Sequence, residues 1–97
     1  MWILQGSDSG DAAVAFRMGA GSIKTVGRAP RADFVLDAAL VSRLHCRLEA
    51  GDDNLDVVDL ASTNGTFVND RRVERARLQV GDRLKIGRVE LVVGKNP

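Results

Sequence analysis

Three short polar stretches in this chain carry side chains suited to binding a phosphate. The first is Gly27-Arg28, directly after the apolar run 23–26. Glycine relaxes the backbone beside an arginine whose planar guanidinium can fork onto an oxyanion. The second runs from Ser42 through Arg43 and Leu44 to His45, setting a hydroxyl beside a second guanidinium. The third spans 59–69, where Ser62, Thr63 and Asn64 stand in succession before Gly65. Such side chains either hold a turn's own backbone or face a ligand. Taken singly, each stretch has a plainer meaning. A surface arginine after glycine is usually just solvated, Ser42 can close a local turn, and the third stretch alone is a polar hairpin. His45 reads more readily as a packed, hydrogen-bonded histidine than as a catalyst.

Catalysis is not expected from these residues. Ser42 and His45 suggest a nucleophile and base, but the chain has a single histidine, no Gly-x-Ser-x-Gly elbow and no Walker-type phosphate loop. One cysteine, Cys46, rules out an intrachain disulfide, and next to one histidine it cannot complete a four-ligand zinc site. No metal and no cofactor are therefore expected. A reducing, intracellular setting fits the cysteine usage.

The elements that must position these stretches are short. Turn-type clusters at 6–10, 19–22, 29–33, 51–54, 62–65, 69–71, 81–82 and 87–88 recur at the spacing expected of sandwiches and barrels. Between them, 13–18 alternates with Val14, Phe16 and Met18 on one side. The stretch 54–60 alternates with Leu55, Val57 and Asp59 opposed to Asp56, Val58 and Leu60. Residues 84–86 and 89–93 flank Gly87-Arg88, which reads as a tight hairpin. Asn64-Gly65 favours a turn with positive φ before a strand resumes at Thr66. One segment, 37–50, is ambiguous. Asp37 could cap a helix, Leu40, Leu44 and Leu48 recur every four residues, and Gly51 sits where a terminating glycine belongs. The rival reading makes Ser42-Arg43 a loop and 44–50 a strand, with Leu44, Cys46, Leu48 and Ala50 inward and His45, Arg47 and Glu49 alternating with them.

In this order and spacing, Gly27-Arg28, Ser42-Arg43-x-His45, Ser62-x-Asn64-Gly65-Thr66 and Asn69 resemble the forkhead-associated (FHA) domain. Leu78-x-x-Gly81-Asp82 is similar to a later landmark of that family. The resemblance runs from about Val26 to Val93, with no departure at the signature positions. It implies an all-β fold, an eleven-stranded β-sandwich of two antiparallel sheets with ligand loops at one end, and it favours the strand over the helix at 44–50. It also implies recognition of phosphothreonine peptides. By that likeness Arg28, Ser42, Arg43 and Thr63 contact the phosphothreonine, and Asn64 holds the ligand's main chain. Gly27, His45 and Gly65 keep the loops in shape. Residues reading the ligand's flanking positions are sought in Leu40 and Val41, which would favour an apolar neighbour, and in Arg71 and Arg72, which would favour an acidic one.

Ninety-seven residues with 44% apolar content suffice for one domain, 1–97, with 94–97 read as the stub of a linker to a larger protein. No apolar run approaches the roughly 18 residues of a membrane span. The net charge of +1 argues against bulk nucleic-acid binding, and Arg71, Arg72, Arg75 and Arg77 read as a solvated edge. Trp2 and the three phenylalanines read as core. Arginine outnumbers lysine eleven to three, which suits phosphate contacts but follows equally from codon bias. The expected function is phosphorylation-dependent protein–protein interaction in signalling. The partner would be a phosphothreonine-containing protein, either a Ser/Thr kinase or its substrate, and the setting cytoplasmic rather than nuclear. The alternative is a phosphate-independent interaction or dimerisation module.

Overall fold

In the computed structural model, which describes residues 1–7 and 13–96, the alternating segments form eleven strands and no helix. The strands are β1 (Trp2–Ser7), β2 (Ala13–Met18), β3 (Ile23–Gly27), β4 (Phe34–Val35), β5 (Cys46–Ala50) and β6 (Leu55–Asp59). There follow β7 (Thr66–Val68), β8 (Arg71–Val73), β9 (Arg75–Leu78), β10 (Arg83–Ile86) and β11 (Val89–Lys95). Among the described residues, no helix is long and apolar enough to cross a membrane. Most of the turn expected at 6–10, and Pro97 of the expected stub, lie outside the described residues.

Two sheets face each other, one ordered β2-β1-β11-β10-β7-β8 and the other β4-β3-β5-β6-β9. All pairs are antiparallel except the short β3–β4 contact, which is parallel. The core is what period-two alternation dictates. Leu4, Leu84, Ile86, Leu91 and Val93 come from one sheet, and Val26, Cys46, Leu48, Leu55, Val57 and Leu78 from the other, all buried. Each such side chain contributes roughly 1.5–3 kcal/mol on leaving water. Trp2 and Phe16 join the core as expected, and Phe16 stacks on the half-buried Phe34 at 4.5 Å between ring centroids. Phe67 stays half-exposed.

Strand register gathers the loops. Val26 pairs with Cys46, and Cys46 with Asp59, so the end of β3, the start of β5 and the end of β6 lie together. Thr66 pairs with Ile86, which places the start of β7 beside the β10–β11 hairpin at 87–88. In that hairpin Gly87 has φ +61, a positive value that glycine adopts without steric cost.

The helix suggested by local signals at 37–50 does not form. The leucine spacing was coincidental, since Leu40 is exposed, Leu44 half-buried and only Leu48 in the core. Pairing of β5 with both β3 and β6 satisfies its backbone instead. The strand begins at Cys46, not Leu44, and His45 is buried rather than turned out with Arg47.

Candidate functional site

The three polar stretches converge on one groove of about 500 Å³, lined by Arg28, Asp37, Ala38, Ala39, Leu40, Val41, Ser42, Thr63 and Asn64. The backbone first joins the loops. Arg28 N–H donates to the Ser42 carbonyl and Ala29 N–H to that of Arg43, both at 3.0 Å. This clasp needs a glycine at 27, because a Cβ there would lie 2.0 Å from the Arg43 carbonyl oxygen.

Side chains then fix the donors. Arg28 Nε donates to the Val41 carbonyl at 3.1 Å, which aims an otherwise exposed guanidinium along the groove. Ser42 Oγ accepts the Thr63 N–H at 3.0 Å, which leaves the Ser42 hydroxyl proton to donate elsewhere. Asn64 Nδ2 donates to the Leu40 carbonyl at 3.1 Å. Leu40 adopts φ +69, a left-handed conformation costly for a leucine and found where surroundings enforce it.

His45 holds the loops from beneath. Its Nδ1 accepts the Ser42 N–H at 3.1 Å, so the proton sits on Nε2, which donates to the Gly65 carbonyl at 2.8 Å. The ring is 0% exposed and cannot reach a ligand. Asp59 organises the third stretch. Its Oδ1 accepts from Ser62 Oγ at 2.5 Å and Thr66 Oγ1 at 2.8 Å, and its Oδ2 from Ser62 N–H at 3.2 Å. Ser62 Oγ in turn accepts the Gly65 N–H at 3.0 Å. Burial pushes the Asp59 carboxyl up, but the bonds from Ser62 and Thr66, with His45 nearby, outweigh it and hold the carboxyl below its ordinary value. Gly65 takes φ +91, the positive φ expected of this turn. Among the described residues no buried side-chain polar atom lacks a partner.

Arg28, Ser42, Thr63 and Asn64 thus share the groove. Arg43 lends its carbonyl to the clasp, but its exposed side chain is not among the groove's lining residues. Of the flanking candidates, Leu40 is 49% exposed on the rim, whereas Val41 is 3% exposed and packs in the core, so it serves through its carbonyl. Arg71 and Arg72 are successive residues of one strand and face opposite ways. Arg72 lies over Gly65, where a Cβ would meet its Nε at 2.8 Å, while Arg71 lines a separate groove with Val68, Val73 and Arg77. Sequence reasoning missed Asp37 and the alanines after it. Asp37 looked like a helix cap, and nothing local signals that it lines a groove.

Cys46 lies in the core beneath the loops, where burial first, and Asp59 second, push its thiol far above the ordinary range. It is a packing residue, inert as a nucleophile.

A family model described as "FHA domain" matches residues 24–87. The oxoglutarate dehydrogenase inhibitor of Corynebacterium efficiens is 40% identical over 73 residues, 75% of this chain and 51% of that protein. The glycogen accumulation regulator GarA of Mycobacterium tuberculosis is 40% identical over 76 residues, 78% of this chain and 47% of that protein. The chain spans about half the length of these curated relatives. A solved structure described as a structural and functional analysis of phosphothreonine-dependent FHA domain interactions superposes with a TM-score of 0.82. It is 32% identical, covering 99% of this chain and 97% of that one.

Proposed function

The chain belongs to the FHA family, and from that premise we propose that it captures phosphothreonine peptides in the groove between Arg28 and Thr63. The single observation that carries this reading is the convergence of Arg28, Ser42, Thr63 and Asn64, from three separate loops, on one open groove. A phosphothreonine carries about −1.5 to −2 charge and three strong acceptors. Arg28 supplies opposite charge, the Ser42 hydroxyl proton and Thr63 supply donors, and Asn64 holds the ligand's main chain, as the family resemblance implies. The likeness to a structure described by phosphothreonine-dependent interactions supports the same reading. The domain acts by capture rather than turnover. Its partner is a protein phosphorylated by a Ser/Thr kinase, or the kinase itself. Residues 1–97 serve as the recognition domain of a larger regulatory protein, acting in the cytoplasm. In this reading Leu40, exposed on the rim, and Arg72, lying over Gly65, contact the flanking positions of the ligand.

The test is capture from matched peptide libraries bearing phosphothreonine, phosphoserine or plain threonine. Selective retention of the phosphothreonine set is the expected result. Ser42→Ala with Thr63→Ala should abolish that retention, since each charge-assisted bond is worth roughly 1.5–3 kcal/mol. Equal capture of plain threonine would overturn the reading.

A further inference from the structure

The β10–β11 hairpin contributes no donor to the groove, yet it touches the loop that organises the groove's donors. A Cβ built on Gly87 would lie 2.8 Å from the Ala39 carbonyl oxygen, 3.0 Å from Val41 Cγ2 and 3.1 Å from the Leu40 carbonyl carbon. Two of these three are backbone atoms, which cannot swing aside as the end of a long side chain can. The strand register accounts for the contact, because Ile86 pairs with Thr66 and delivers the hairpin to the loop end.

The loop lying on Gly87 is the one that orients two side chains of the proposed phosphopeptide site. The Val41 carbonyl holds Arg28 Nε at 3.1 Å, and the Leu40 carbonyl holds Asn64 Nδ2 at 3.1 Å. Leu40 itself sits at φ +69, a conformation that persists only under external restraint. We infer that Gly87 is a positioning residue for phosphopeptide binding: its missing side chain lets the hairpin brace the 39–41 loop and so aims Arg28 and Asn64. The inference rests on the proposed function, and deepens it by adding a determinant outside the three signature loops.

Gly81 provides the matched control. It also has a positive φ, +94, in a turn between strands, but a Cβ there meets nothing within 4 Å. Gly81→Ala and Gly87→Ala therefore share backbone strain, and only the second presses on the loop. Gly87→Asn separates the causes further, because asparagine tolerates positive φ yet still carries the Cβ. A phosphothreonine peptide selected by the wild-type protein serves as the probe in calorimetry, with melting curves run beside it. Amide and guanidinium NMR signals of Asn64 and Arg28 are recorded without ligand. Gly87→Ala and Gly87→Asn should each weaken binding roughly tenfold, the loss of one well-aimed bond, and shift both sets of signals. Gly81→Ala should melt earlier but bind as the wild type does. Folded Gly87 variants with wild-type affinity and unshifted signals would overturn the inference. Failure of the wild type to bind any phosphopeptide would instead sink the functional reading, and the ligand-free NMR comparison would still decide whether Gly87 positions Arg28 and Asn64.

Discussion

Asp59 shows how much of the site depends on a residue that touches no ligand. Its two oxygens collect Ser62 N–H, Ser62 Oγ and Thr66 Oγ1, and so set the path of the loop that carries Thr63 and Asn64. Because the folded state holds this carboxyl below its ordinary value, its stabilisation is fully present above the unfolded carboxylate range, about pH 4, and is lost as pH falls through the folded value. Asp59→Asn keeps one acceptor and turns a donor toward donors. It should cost about 1–3 kcal/mol at pH 7. The gap to wild type should narrow steadily as urea melts are repeated at falling pH, as the native carboxyl itself takes up a proton. A gap independent of pH would mean that the charge is not what holds the loop. Glu49 titrates in the same direction, drawn down first by Arg75 and then by Arg47, so the variant comparison rather than the wild-type curve isolates Asp59. The sequence hinted at this role, since alternation placed Asp59 on the side of Leu55 and Val57. It did not show that Ser62 and Thr66 are bound inward while Thr63 between them is exposed, because that division depends on where the loop closes.

At the scale of elements, the site exists because three strand ends meet, and Gly27 is the tightest point of that meeting. Its ideal Cβ would lie 2.0 Å from the Arg43 carbonyl oxygen and 2.7 Å from its carbon, closer than any relaxation of side chains could relieve. Gly27→Ala must push the β3 end away from the 42–43 segment and break the clasp at Arg28 and Ala29. An overpacked site of this kind costs about 1–3 kcal/mol, and peptide capture should fall with it. Gly19→Ala, where a Cβ meets nothing within 4 Å, should leave both stability and capture near wild type. Thermal melts and peptide titrations on the pair check this, and a Gly27→Ala protein that binds normally would refute the clasp. Gly27-Arg28 was legible as a pair, but the need for glycine was not, because the obstructing carbonyl is 16 positions away in sequence. The segment 37–50 failed for the related reason that its local signals favour a helix. What decided against the helix was long-range pairing of Cys46 with Val26 and Asp59, information that no window of that segment contains. The tight hairpin at Gly87-Arg88, by contrast, was legible because both its turn chemistry and its flanking strands are local.

For the molecule as a whole, the question is where its charges act, given a net charge of only +1. Three of the eleven arginines are engaged on the outer face of the β4-β3-β5-β6-β9 sheet. There Arg75 bridges Glu49 and Asp56, Arg77 pairs with Asp56 at 3.2 Å, and Arg47 pairs with Glu49 at 2.9 Å. The guanidinium groups of these pairs are the more exposed partners, so the pairs carry small energetic weight, but Glu49 and Asp56 offset most of the charge of the three arginines. Within the run Arg71 to Arg77, Arg75 and Arg77 are solvated and paired, and β8 and β9 lie at the ends of their sheets. A molecule so balanced offers little long-range attraction to a phosphopeptide, and exposed charges are screened beyond about 10 Å at 0.1 M salt. The salt sensitivity of binding should therefore originate in the groove and depend chiefly on Arg28. Titrations from about 0.05 to 0.5 M salt should show wild-type affinity falling, and Arg28→Ala should be both far weaker and flatter in its response. Arg77→Ala, which removes a charge of the same sign from the outer face, should change neither affinity nor slope. If Arg77→Ala flattened the response as much as Arg28→Ala, attraction would be a property of the whole surface. The groove would then lose its claim to be where the charge of the ligand is met.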